Sequence, residues 1–327
     1  MANFNVNYLG LHLRNPIIIA SSGLTNSVEK NIDLFEKGAG AIVLKSLFEE
    51  QILAESAHNI SLDQSYGYDV HDYISNTLRN VRISDYLRLI KETKLAVDIP
   101  VIASINCVTD REWVEFTQQI EDAGADALEI NIGILPSNHN ISSEQNEQNY
   151  FNILKKVRRN TKLPVAVKLS NYSAGLAHLI KKLSWTGYVD GFVLFNRYYR
   201  PNLDIETMKV TSSDLFSNSS DISESLRWVA IMSKAIELPI SATTGVHSGA
   251  DVIKQILAGA NSVQIASAIY KNGSSHIQTM LKDMESWMDR KSYKNLDEFR
   301  GKMSFDVNSN TVAFERIQFM KHFGTIE

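Results

Sequence analysis

The chain has 327 residues, 44% of them hydrophobic, which is ample for one large core of the size a closed α/β barrel needs, typically about 250 residues. A net charge of −4 with a pI near 6.1, and no basic stripe, argue against nucleic-acid binding. A single cysteine, Cys107, excludes a disulfide framework and a Cys-based zinc site. No signal-type apolar region opens the chain and no apolar run approaches the ~18 residues of a membrane span, so the expectation is a soluble, cytoplasmic protein that binds no membrane.

Phe4 to Leu13 alternates apolar and polar residues around Gly10, a hairpin signature placed to plug the bottom of a barrel. Pro16 opens the buried run Ile17 to Ala20, which ends in Ser21-Ser22-Gly23. Asn26 is the expected cap of a helix from Ser27 to Lys37, with Glu29 completing the capping pattern. Gly38-Ala39-Gly40 then leads into strand two, Ala41 to Leu44, followed by Lys45-Ser46. The junction of helix, Gly-Ala and apolar strand recurs at Gly124-Ala125 and Gly259-Ala260, a weak repeat in which Gly ends the helix and small residues let it fold back onto a strand.

From Phe48 to Asn80 periodicity fails, and an irregular segment that long reads as a functional loop over the barrel mouth. Helix Ser84 to Val97, strand Val101 to Ile105, helix Asp110 to Asp122 and strand Ala127 to Ile130 follow. After Asn131 comes a polar insertion, Gly133 to Ser143, then helix Glu144 to Asn160. Strand five is Val165 to Leu169, helix Ser173 to Trp185 follows, and strand six is Gly191 to Asn196. A long loop through Ser220 precedes helix Ile222 to Ile236. Strand seven ends in Ala242-Thr243-Thr244-Gly245, strand eight (Ser262 to Ile265) ends in Ala266-Ser267-Ala268, and the last helix is Ser274 to Asp289. Eight strands alternating with eight helices, with no GxGxxG opening, predict a (β/α)8 TIM barrel with an N-terminal β-hairpin and long loops after strands 2, 4 and 6, in one domain over residues 1–327.

In such a barrel chemistry sits at the C-terminal strand ends. These ends hold Ala20 and Ser21, Lys45 and Ser46, Ser104, Asn131, Lys168, Asn196 and Arg197, Thr243 to Gly245, and Ala266 and Ser267. No carboxylate pair and no metal-spaced His, Asp or Glu cluster stands among them, which argues against glycoside hydrolysis and a metal centre. The two small hydroxyl-bearing turns after strands seven and eight make a backbone N–H pocket suited to phosphate. Lysines and asparagines at the other ends suit a planar ring whose edge becomes anionic, as a reduced flavin does. Taken singly, Lys45 and Lys168 read as solvated rim residues; beside two phosphate turns they read as a site. Glu129 faces the same way as Asn131 and reads as a structural hydrogen-bonding group.

These pieces, in this order and spacing, resemble the catalytic domain of dihydroorotate dehydrogenases and the flavin-mononucleotide domain of dihydropyrimidine dehydrogenase. The match runs through Asn15-Pro16 to Ser21, Gly38 to Ser46, Val101 to Ile105, Gly124 to Asn131, Val167-Lys168-Leu169, Ala242 to Gly245 and Gly259 to Ile269. The resemblance implies an FMN-dependent CH–CH oxidoreductase of pyrimidine biosynthesis that oxidises dihydroorotate or a related dihydropyrimidine by hydride transfer to flavin N5. Ala20, Ser21, Lys45, Ser46, Ser104, Asn131, Lys168, Thr243, Thr244, Gly245, Ala266 and Ser267 are then the cofactor-binding residues. Lys45, Asn131, Asn196 and Arg197 are the substrate-binding ones. Lack of an N-terminal amphipathic extension resembles the soluble class, and a homodimer stays open.

Three departures stand out. Where the family carries a catalytic Cys or Ser after the strand-four Asn, this chain has Ile134, which accepts no proton; Ser137 and His139 are the substitutes within reach in sequence. The family's substrate-anchoring pattern after strand two reads Ser65-Tyr66-Gly67-Tyr68-Asp69, and its glycine-rich turn after strand six is missing. One Gly of its Thr-Gly-Gly turn is Thr244, a branched residue where close backbone approach favours Gly. Two other readings follow: a paralogue that binds FMN or another phosphate ligand but acts on a different substrate or without turnover, and an aldolase with Lys168 as Schiff-base nucleophile, which the resemblance disfavours.

Overall fold

The computed structural model describes residues 2–50, 83–109, 116–198 and 200–305. Most of the insertion after strand two, and the first turns expected for helix Asp110 to Asp122, lie outside them.

The chain starts with the hairpin β1 (Val6–Tyr8) and β2 (Leu11–Leu13), paired Val6 to Leu13 about a turn in which Leu9 and Gly10 both take positive φ. Tyr8 is buried, and its hydroxyl is held well above the ordinary tyrosine range by burial and then by the Glu129 carboxylate inside the barrel. The hairpin therefore closes the bottom.

Eight parallel strands close on one another in the order β3 (Ile17–Ile19), β4 (Ala41–Val43), β6 (Val101–Cys107), β7 (Ala127–Ile132), β8 (Val165–Leu169), β9 (Gly191–Leu194), β12 (Ile240–Thr243) and β13 (Ser262–Ile265), which returns to β3. Each is an apolar run, and nearly every residue in them is buried, because one face fills the barrel and the other lies under helices. Strand β5 (Leu47–Phe48) continues the line of β4 after a break at Leu44 to Ser46 and pairs with the upper end of β6. Just beyond it the buried Glu49 carboxylate accepts the amides of Val108 (2.7 Å) and Thr109 (3.0 Å), tying the root of the strand-two insertion to the end of β6.

The surrounding helices are α1 (Val28–Glu36), α2 (Ile83–Ala96), α3 (Phe116–Asp122), α4 (Ser143–Asn160), α5 (Leu176–Ser184), α6 (Ile222–Met232), α7 (Gly249–Ala258), the short α8 (Ser267–Asn272) and α9 (His276–Arg290). Helix α1 is capped by Ser27, whose hydroxyl accepts from Lys30 N, and not by Asn26; the Asn26 amide oxygen accepts from the Lys30 ammonium instead. Helix α5 starts three residues later than Ser173, after Gly175, and α6 ends at Met232 in a tightened turn. Gly38, Gly124 and Gly259 all adopt positive φ where a helix turns back onto a strand, as the repeat requires. The strand-six insertion, expected to be loop through Ser220, contains a hairpin, β10 (Pro201–Asp204) and β11 (Lys209–Ser212). No helix among the described residues is long and apolar enough to cross a membrane.

Candidate active site

Parallel register places inward-facing residues in layers, so Asn106, Asn131 and Lys168 stand level across β6, β7 and β8, and Ser104 and Glu129 stand one layer below. Above them, at the C-terminal mouth, lies a cavity of about 430 Å3. Ten of the residues read off the strand ends line it: Ala20, Ser21, Lys168, Asn196, Arg197, Thr243, Thr244, Gly245, Ala266 and Ser267.

One end of the cavity is made by the turns after β12 and β13. Among the described residues, the amides of Gly245, Val246, Ser267 and Ala268 find no protein acceptor. Gly245 has φ +79°, and a Cβ there would come within 2.0 Å of Ile222 N, so this turn presses directly on the start of α6. Thr244, at φ +76°, turns its hydroxyl to the Phe195 carbonyl (3.3 Å). Segment 213–221 folds over this end: Ser217 N donates to Ser267 Oγ (3.0 Å), Ser217 Oγ meets His247 Nε2 (3.1 Å), and Lys271 Nζ donates to the Ser217 carbonyl (2.8 Å). Phe216 stacks on Tyr270 at 5.1 Å. Burial, then the Lys271 charge, hold His247 below the ordinary histidine pKa, so near neutral pH it serves as a neutral hydrogen-bonding group.

Lys168 forms the floor. It is buried, and its ammonium lies 3.4 Å from Glu129 Oε1 and 3.4 Å from Gln264 Oε1, while Gln264 Nε2 donates to Glu129 Oε2 at 2.6 Å. Beside it, Asn196 Nδ2 donates to Asn131 Oδ1 (3.1 Å). A third feature is a run of hydroxyls, Ser21 Oγ to Ser46 Oγ (2.9 Å) to Ser104 Oγ (2.8 Å), leading from the cavity wall into the barrel. Tyr86 fixes its inner end by accepting from Ser104 N (2.7 Å) and donating to Ser104 O (3.1 Å).

Ser46, Ser104 and Asn131 thus reach the cavity through hydrogen-bonded neighbours and do not line it. Lys45 is exposed at the break after β4 and stands outside the lining, because the strand stops before it. Arg197 lines the cavity, but its guanidinium donates to the carbonyls of Asp214 (2.8 Å), Leu215 (3.0 Å) and Phe216 (3.3 Å), so it braces the strand-six insertion. Ile134 is half-buried against the core, and Ser137 and His139 are exposed on the loop beyond, outside the lining. Among the described residues the lining has no carboxylate, imidazole or thiol, and no group of three or more His, Cys, Asp or Glu converges as a metal site would. The sequence reading missed Gln264, Ser217, Phe216 and Tyr270. Gln264 did carry a signal: it is the lone polar residue in the apolar run after Ser262, as Lys168 is in its strand.

Comparison with known proteins points the same way. A family model described as dihydroorotate dehydrogenase matches residues 3–288. The chain is 25% identical over 309 residues to the dihydroorotate dehydrogenase B (NAD(+)) catalytic subunit of Thermoplasma volcanium, covering 92% of this chain and 98% of that one. It is 26% identical over 314 residues to the protein of the same description from Alkaliphilus metalliredigens, covering 92% and 99%. Dihydroorotate dehydrogenase A (fumarate) of Lactobacillus delbrueckii subsp. bulgaricus is 24% identical over 321 residues, covering 94% of this chain and all of the relative.

Proposed function

Because the chain belongs to the dihydroorotate dehydrogenase family, an oxidoreductase family acting on CH–CH bonds, we propose that it is one FMN-binding barrel domain that oxidises dihydroorotate or a related dihydropyrimidine. The observation that carries this reading is the polarity of the cavity: unpaired backbone amides at one end and a buried ammonium beside paired asparagines at the other.

The donor set fits a flavin mononucleotide. The amides of Gly245, Val246, Ser267 and Ala268 suit a phosphate, as the turns after the last two strands of such barrels do. When bound, FMN supplies a ring that accepts a hydride from carbon. Lys168 favours the anionic ring edge that results, and its setting among apolar strands makes that charge count for more than it does in water. Asn131 and Asn196 present amide donors and acceptors to the lactam edges of a pyrimidine. Ser21, Ser46 and Ser104 orient one another from the cavity wall into the barrel. Phe216 and Tyr270 cover the phosphate end.

One observation favours a second reading. With Ile134 packed on the core and no carboxylate, imidazole or thiol in the described lining, a relative with a different substrate, or without dehydrogenase turnover, fits the same cavity. Titration of the purified protein with FMN, followed by quenching of flavin fluorescence, tests the cofactor reading. Saturation at one FMN per chain is expected, and unchanged fluorescence at micromolar protein and FMN would sink it.

A further inference from the structure

We propose that Glu129, braced by Gln264, is the positioning residue that fixes the Lys168 ammonium on the cavity floor and sets the net charge presented there. The inference rests on the FMN reading above. Glu129 and Gln264 are 1% exposed, and Lys168 is 7% exposed. Gln264 uses both ends of its amide, donating to one Glu129 oxygen and accepting from Lys168, so the carboxylate cannot swing without breaking two contacts. The other carboxylate oxygen faces the ammonium.

The two contacts to Lys168 are long. Both are 3.4 Å, against 2.7 Å for the Lys94–Asp126 pair elsewhere in this chain and about 2.7–2.9 Å for a fully formed charged hydrogen bond. An ammonium has three protons, and Lys168 also lines the cavity, so it keeps donor capacity toward that side. Glu129 lies a layer below Lys168 and does not line the cavity. A negative charge developing there meets the attraction of Lys168 reduced by the repulsion of Glu129. The carboxylate stabilises the buried ammonium, and by the same charge it moderates how strongly the floor favours an anion.

The consequence is a shift in redox poise. Glu129→Gln keeps the shape and the bond to Gln264 but removes the opposing charge. Reduced FMN should then gain about tenfold in affinity over oxidised FMN, a positive shift of about 30 mV in the two-electron potential. Glu129→Asp keeps the charge, shortens the reach, and should weaken FMN binding while leaving the potential near that of the parent. Lys168→Met should shift the potential the other way.

The test is the midpoint potential of FMN bound to the full chain and its variants, with FMN dissociation constants measured alongside. If Glu129→Gln alone does not fold, the neutral pair Glu129→Gln/Lys168→Met is compared with Lys168→Met, and the same positive shift is expected. An unchanged potential in a folded, FMN-loaded Glu129→Gln protein, or in that comparison, overturns the inference and leaves the cofactor reading standing. A parent protein that binds no FMN overturns the cofactor reading and this inference with it.

Discussion

At φ +76°, Thr244 holds a β-branched side chain in the left-handed region, where Cβ crowds the backbone. Such a residue costs on the order of 1–3 kcal/mol, and its hydroxyl recovers little through a 3.3 Å contact to Phe195 O. Glycine removes the strain but forfeits roughly 0.5–1 kcal/mol of unfolded-chain entropy. Thr244→Gly should therefore be more stable by up to about 2 kcal/mol and bind FMN at least as tightly. A melting temperature below that of the parent would contradict this. The two lysines show how far single residues could be read in the sequence. Both follow apolar runs, and both were expected at the site. Lys168 lies within a strand five residues long and is carried inward with Asn131; Lys45 follows a strand that ends at Val43 and is exposed. Where a strand stops depends on its neighbours, and the run of residues does not record it.

Elements in this barrel are fastened at their ends by the same few devices. At the foot of β6, Asp126 accepts from Val101 N (2.7 Å) and pairs with Lys94; at the foot of β8, Asp190 accepts from Val165 N (2.7 Å) and pairs with Arg158. Each aspartate directly precedes one strand and accepts the first amide of the strand beside it, so neighbouring strands are locked in register. At the head of α7, Ser248 and Asp251 form a reciprocal capping box. Burial pushes the Asp251 carboxyl up, but hydrogen bonds from Lys254, Ser248 and the His247 amide outweigh it and hold it below the ordinary aspartate value of 3.8. A carboxyl depressed in the folded state contributes stability above its unfolded pKa and loses it as pH falls through the folded one. Asp251→Asn should therefore melt below the parent at pH 7, and the gap should narrow below about pH 4. Thermal melts at a series of pH values check this; a gap that stays constant to pH 3 would contradict it. Helix ends were legible to within three or four residues because they depend on nearby residues, but the one cap expected, Asn26, is taken by Ser27. The hairpin of β10 and β11 was not, since its strands are only four residues long and the alternating Leu203, Ile205, Met208 and Val210 are exposed and bury no face.

For the whole molecule, the alternation of apolar runs and helices was enough to anticipate eight strands and their order, because parallel strands joined by helices have few ways to close. The end of the cavity formed by the turns after β12 and β13 was legible for the same reason, being made of two consecutive turns. Its floor was not. Glu129 and Gln264 are 135 residues apart and meet only because the barrel closes. The family match runs over residues 3–288, while the departures at Ile134 and Thr244 sit on turns that the barrel can vary without reopening. The measurement that tests the account most directly is the visible spectrum of the FMN-loaded protein mixed anaerobically with dihydroorotate. Bleaching of the flavin band, with orotate formed in proportion to bound FMN, is the expected result. A fully loaded protein whose flavin stays oxidised would contradict dihydroorotate oxidation and leave the second reading in its place.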